Sequence, residues 1–218
     1  MKAEHLSYLE ELLNAPSPSG YEDAARMAWR AAMKPLAERV YGDTHGNSFA
    51  VLNGAGAPRV MLAGHIDEIG FQVYHIDSDG YIAFRSIGGF DEQIIPGRRV
   101  VIHAAQGPVK GVIGKKAVHL MKAEDRKKAI EISDLHVDTG IEGGAKVKKL
   151  VDIGDPITYV DRFDRLGGTT CVARGVDDKA GASPRRCTPW RRCRRRSGCA
   201  GRTRAPSAWI RKWGSRWT

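Results

Sequence analysis

The stretch "RVMLAGHIDEIGF", Arg59 to Phe71, changes character in its middle. Val60 to Ala63 is a short uninterrupted apolar run, the pattern of a strand buried on both faces. It stops at Gly64-His65, and two acids, Asp67 and Glu68, follow. In an open α/β sheet, chemistry gathers where a parallel strand ends. On a strand, His65 and Asp67 point to the same face, so the carboxylate can hold one ring nitrogen while the other meets a ligand. Taken alone, the segment reads more simply as strand-end polar residues capping a helix or facing solvent.

Upstream, residues 1–50 read as helix, turn, helix, strand. Leu6, Leu9, Leu12 and Leu13 recur at helical spacing, and Pro16 and Pro18 end that helix. Ser19 and Glu22 have the spacing of a capping box, and Ala24, Met27, Ala28 and Ala31 give the second helix one apolar face. Downstream, from Gly70 to Asp161, runs such as "FQVYHI", "YIAFRSI", "RVVIHA", "VKGVIG" and "PITYV" alternate with Gly, Asp and Pro turns. Short, evenly spaced strands of this kind predict a small barrel or sandwich. Only "KAEDRKKAIEI" and "GAKVKKLV" look helical there. "TTCVARGVDDKAGA" then returns as strand and turn. The expected fold class is α/β, with 1–69 and 162–182 forming one domain and 70–161 a small β-barrel inserted into it.

The charge is unevenly spread. The 218 residues carry a formal net charge of +10, yet 183–218 holds eleven Arg, one Lys and no acid, leaving 23 basic against 25 acidic residues in 1–182. Cys187, Cys193 and Cys199 and four of the five Trp also lie beyond 183, where Ile210 is the only large aliphatic residue. Such a stretch cannot build a core and is expected to be disordered. The leucine-rich start contains acids and is no signal peptide, and no run approaches the roughly 20 apolar residues of a membrane span. With a single cysteine in 1–182, a reducing, cytoplasmic location is expected.

"GVDDKAG", Gly175 to Gly181, supplies Asp177 and Asp178 in a turn where glycines allow close approach. A carboxylate there can bridge two divalent cations, although a double acid between glycines is by itself simply a turn. Together with "PSPSGYE", "DTHGN", "MLAGHIDEIGF", "GYIAFRSIGG", "PGRRVVI", "GVIGKKAVHL", "DLHVDTG" and "IGDPITY", in that order, it resembles family 42 of the metallopeptidases, the dinuclear aminopeptidases. The resemblance covers nearly all of 1–182. It implies a zinc-peptidase-like α/β sandwich and a barrel used for homo-oligomerisation. It implies two divalent ions, zinc or cobalt, acting on peptide substrates from the N-terminus. His65 would be a metal ligand, Asp67 the catalytic residue that orients it, and Asp177 the bridging ligand, with a cis peptide bond to Asp178. Glu68 receives no role.

The family's remaining groups, a Glu-Glu pair, an Asp ligand and a His ligand, have no counterpart here, since no acid or histidine follows Asp178. The expected reading is an incomplete, inactive half-site. GC-rich codons for "SPRRCTPWRRCRRRSGC", read in a shifted frame, give an apolar alanine-rich stretch like the helix that follows in the family, so 183–218 reads as a frameshift. Two rivals stand beside this. Some relatives are described as glucanases, which need two carboxylates flanking the bond and no metal. The arginine-rich tail could also bind nucleic acid, incidentally through its charge.

Overall fold

The computed structural model describes residues 3–124, 128–167 and 170–183. The tail expected to be disordered lies outside them from 184 onward. The chain opens with α1 (Ala3–Asn14), ending before Pro16, and α2 (Asp23–Met33). Leu12 and Leu13 of α1 are buried, with Ala25 and Met33 of α2. The apolar face expected on α2 is therefore rotated: Met27 is 66% exposed, and the buried line runs along positions 25 and 33. The capping box does not form either. Ser19 turns away to another partner, and Glu22 accepts from Gly20 N at 2.6 Å instead. A two-stranded hairpin follows, β1 (Arg39–Gly42) with β2 (Ser48–Val51).

The inserted barrel is built from β3 (Gly70–Ile76), β4 (Ile82–Ile87), β5 (Arg99–Ala104), β6 (Gly107–Lys115), β7 (Leu135–Asp138) and β8 (Pro156–Tyr159). All pairings are antiparallel in the closed order β3-β4-β7-β6-β5-β8, so no strand edge is left open. Alternate side chains enter the core, among them Phe71, Val73, Phe84, Ile102, Val137 and Ile157. On β3 the alternation slips by one: Val73 faces Phe84, but His75 faces Ala83. Tyr74 is the extra residue of a bulge, so Ile76 enters the core and His75 stays outside. A single helical turn, α3 (Gly144–Val147), forms within "GAKVKKLV" and buries Val147 in the barrel core.

First and last barrel strands are neighbours, with Phe71 opposite Ile157. The chain therefore leaves the α/β segments at Glu68 and returns at Asp161 in nearly the same place. Beyond it come β9 (Asp164–Leu166), its partner β10 (Thr170–Val172) and the short α4 (Val176–Lys179).

Two further expectations fail. Residues 122–132 form no α-helix among the described residues; the flanks carry only three-residue 3-10 turns. Its four like charges at Lys122, Arg126, Lys127 and Lys128 offer no apolar face to bury. The expected buried strand at 60–63 is absent too: Val60, Met61 and Leu62 are 57%, 85% and 50% exposed. A buried strand needs hydrogen-bonded neighbours on both edges, and among the described residues the one parallel bridge near it joins Glu68 to Pro18. No helix among the described residues is long and apolar enough to cross a membrane.

Candidate functional site

His65, Asp67 and Asp177 meet, although two come from the segment before the barrel and one from after it. His65 Nδ1 lies 2.8 Å from Asp67 Oδ1, and its Nε2 lies 3.6 Å from Asp177 Oδ1. In the neutral tautomer this fits best, Nδ1–H donates to Asp67 and Nε2 presents a lone pair towards Asp177. The Asp177–Asp178 peptide bond is cis.

The second oxygen of Asp67 accepts a hydrogen bond from Ser19 Oγ. Ser17 Oγ donates to Ile66 O at 2.8 Å, and Glu68 N donates to Ser17 O at 2.8 Å. The "PSPS" loop is thus laced along residues 66–68. Sequence reasoning missed the part these serines play because the spacing of Ser19 to Glu22 suggested a cap; the "PSPSGYE" motif was the available signal. The turn at 175–182 is held from the other side. Ala182 N donates to Asp178 O at 2.9 Å, and Trp29 Nε1 on α2 donates to Ala182 O at 2.8 Å. Gly181 packs so closely on the Asp178 carboxylate that a Cβ there would overlap it.

Beneath the pair lies a buried ionic cluster. Glu68, 1% exposed at its side chain, sits 3.2 Å from Arg174 Nε and 3.3 Å from Lys179 Nζ. Burial pushes the Lys179 ammonium below its ordinary value, against the pull of Glu68. At the surface the electrostatics reverse. Burial tends to lower the His65 pKa, but the hydrogen bond and charge of Asp67, with Asp177 and Asp178, raise it on balance. Burial likewise opposes ionisation of Asp67, yet the Ser19 hydroxyl and His65 hold its carboxyl below the usual range.

Two donors with open space beside them can hold a cation. The 3.6 Å gap is too long for a hydrogen bond and close to the roughly 3.4 Å expected between N and O donors on one tetrahedral metal. Asp177 is 98% exposed at its side chain, so both its oxygens are available. Among the described residues no three His, Cys, Asp or Glu side chains converge as a metal cluster.

Residues 46–184, more than half of the chain, match the family profile described as M42 glutamyl aminopeptidase. A lysyl aminopeptidase from Pyrococcus furiosus is 30% identical over 174 residues, which cover 78% of this chain and 50% of that protein. The chain spans about half the length of the curated relatives it matches. Among solved structures, a TET aminopeptidase from a marine sediment thaumarchaeon superposes with a TM-score of 0.80 at 29% identity, covering 85% of this chain and 55% of that one. The TET1 peptidase of Pyrococcus horikoshii, which can assemble into a tetrahedron or an octahedral shell, gives 0.73 at 31% identity, covering 82% and 53%.

Proposed function

The chain belongs to the M42 glutamyl aminopeptidase family, and from that premise we propose that it carries half of a dinuclear-metal site for removing N-terminal residues from peptides. One observation carries the reading. Asp67 holds His65 so that Nε2 points across 3.6 Å at the exposed carboxylate of Asp177. His65 would be a terminal metal ligand and Asp177 the bridging ligand. When bound, two divalent cations, zinc or cobalt, supply polarisation of the scissile carbonyl and activation of water. Asp67 fixes the ring's tautomer and direction, and Ser19 fixes Asp67. No residue beyond Asp178 carries a side-chain carboxylate or imidazole, so the Glu-Glu pair and the Asp and His ligands that the family resemblance implies have no counterpart there.

The same reading divides the chain into an α/β part, 1–69 and 162–182, and an oligomerisation barrel, 70–161. Assembly through the barrel is supported by its exposed Tyr74, Tyr81, Ile94 and Leu120. The two-carboxylate glucanase alternative has less support, because Asp67 is engaged by His65 and Ser19 rather than facing a cleft. A cytoplasmic location accords with the free, exposed thiol of Cys171. Nucleic acid would bind only incidentally, through the tail's charge.

The test compares this 218-residue chain with one whose reading frame is shifted after Ala182, on amino-acid p-nitroanilides with added zinc or cobalt. The 218-residue chain should give no measurable turnover. The frame-shifted chain should hydrolyse them and lose several orders of magnitude with His65→Ala or Asp177→Ala. Equal turnover by both chains would mean that other residues do the chemistry.

A further inference from the structure

We propose that Glu68, Arg174 and Lys179 are positioning residues: a buried ion cluster that locks the segment carrying His65 against the segment carrying Asp177. This rests on the reading of those two side chains as metal ligands.

The placement is the first argument. Glu68 follows His65 by three residues, while Arg174 and Lys179 bracket Asp177 at three residues before and two after. Glu68 Oε1 takes Ser17 N at 3.0 Å, Arg174 Nε at 3.3 Å and Lys179 Nζ at 3.3 Å, and Oε2 lies 3.2 Å from Arg174 Nε. The cations reach further. Arg174 Nη1 donates to Asp161 O and Nη2 to Asn14 O, both at 2.7 Å, and Lys179 Nζ donates to Ala15 O at 2.8 Å. One carboxylate and two cations thereby join the end of α1, the segment bearing His65, the exit of the barrel and the turn bearing Asp177. Gly175 shows how close the two segments are held. It has φ +65°, and a Cβ on it would come 2.8 Å from Glu68 Oε2.

Direction is the second argument. The guanidinium fork sends its donors to three separate segments in fixed geometry, which an apolar contact of equal volume cannot do. A buried ion pair is weak evidence for added stability, since apolar replacements are often as stable. What it does impose is one relative placement of its partners. The His65–Asp177 spacing of 3.6 Å is made by side chains that are themselves exposed. Asp67 and Ser19 aim the ring, and the Trp29 and Ala182 contacts hold the turn, whereas the buried Glu68 cluster ties the two segments directly to each other.

The experiment uses the full chain, as wild type, Glu68→Gln and Arg174→Lys, isotope-labelled and held well below each unfolding midpoint. Glu68→Gln removes the charge at constant shape, and Arg174→Lys keeps the charge but loses the fork. Nuclear Overhauser cross-peaks between Gly64–His65 and Asp177–Asp178 are measured without metal. In both variants they should weaken to less than half while the barrel resonances stay in place. Zinc is then titrated with all thiols alkylated, following the His65 ring signals; half-saturation should move to roughly tenfold higher zinc. Cross-peaks of unchanged intensity in both variants would overturn the proposal. So would cross-peaks that fade only when the barrel resonances also shift, which would mark a purely structural role. If the wild-type His65 signals ignore zinc, the ligand assignment fails, while the metal-free cross-peaks still decide the clamp.

Discussion

His65 is an exposed imidazole whose behaviour is set first by Asp67 and then by the charges of Asp177 and Asp178. A histidine held above its ordinary pKa contributes stability that is fully present below the unfolded value of about 6.5 and is lost as pH rises through the folded value. Asp67 runs the opposite way: its contribution is present above about 3.9 and is lost as pH falls through its lowered folded value. The ring is 57% exposed, so solvent screens most of this, and the cleaner readout is the titration itself. In Asp67→Asn the His65 ring should titrate at lower pH than in wild type by NMR; an unchanged midpoint would show that Asp67 does not hold it. Glu68 is the opposite kind of residue. Glu68→Ala leaves Lys179 buried without its counter-charge and should cost about 3–5 kcal/mol in denaturant unfolding. The His65–Asp67 contact was expected from two residues lying on one face of a strand, and it forms although residues 61–67 are not a strand. The part of Glu68 was not legible, because its partners lie 51 and 106 residues away and only folding brings them together.

The strands of the barrel were readable as short, evenly spaced β-like runs between Gly, Asp and Pro turns. What that spacing could not reveal is the bulge at Tyr74, because an extra residue is invisible until a partner strand fixes the register. The histidines of these strands have distinct surroundings. His103 on β5 is bonded to Thr158 Oγ1 on β8 at 2.9 Å and packs on the Tyr21 ring at 5.9 Å. Burial, and then the charge of Arg174, push its pKa down against the opposing pull of Glu68. A depressed histidine is neutral in the folded protein, so its stabilisation is present above about 6.5 and is lost as acidification proceeds towards the folded value. Melting curves from about pH 7.5 to 5 should therefore show a fall in midpoint that His103→Gln reduces. An identical fall in the variant would assign the acid sensitivity elsewhere. At the centre of the same barrel, Phe71 is fully buried and contacts Phe84, Phe90 and Tyr159 at ring-centroid distances of 5.0, 4.3 and 5.5 Å. Phe71→Ala should cost about 3–5 kcal/mol in denaturant unfolding, and a cost below about 1 kcal/mol would mean the barrel is not a packed core.

For the molecule as a whole, the barrel is closed upon itself, whereas the α/β segments around the site have few neighbours. The stretch from Val60 to Leu62 shows the consequence. Its composition belongs in the middle of a sheet, and sequence reasoning placed it there, but a strand's burial depends on elements that lie elsewhere in the chain. Among the described residues those elements are not supplied, and the two-stranded hairpin of β1 and β2 pairs only with itself. A polar substitution at 61 distinguishes a solvent-facing residue from a core one. Were Met61 buried in a packed sheet, truncation alone would cost about 2–5 kcal/mol, and a charge would cost more. At 85% exposure, Met61→Glu removes no packing and desolvates no carboxylate, so its effect should stay within about 0.5 kcal/mol. The same substitution breaks an exposed apolar run that invites association, so the variant should also remain monodisperse to higher concentration. Urea unfolding and light scattering on the 218-residue chain measure both. A loss above about 2 kcal/mol would mean that residues 60–63 are packed after all, and that the site rests on a more complete sheet than the one described.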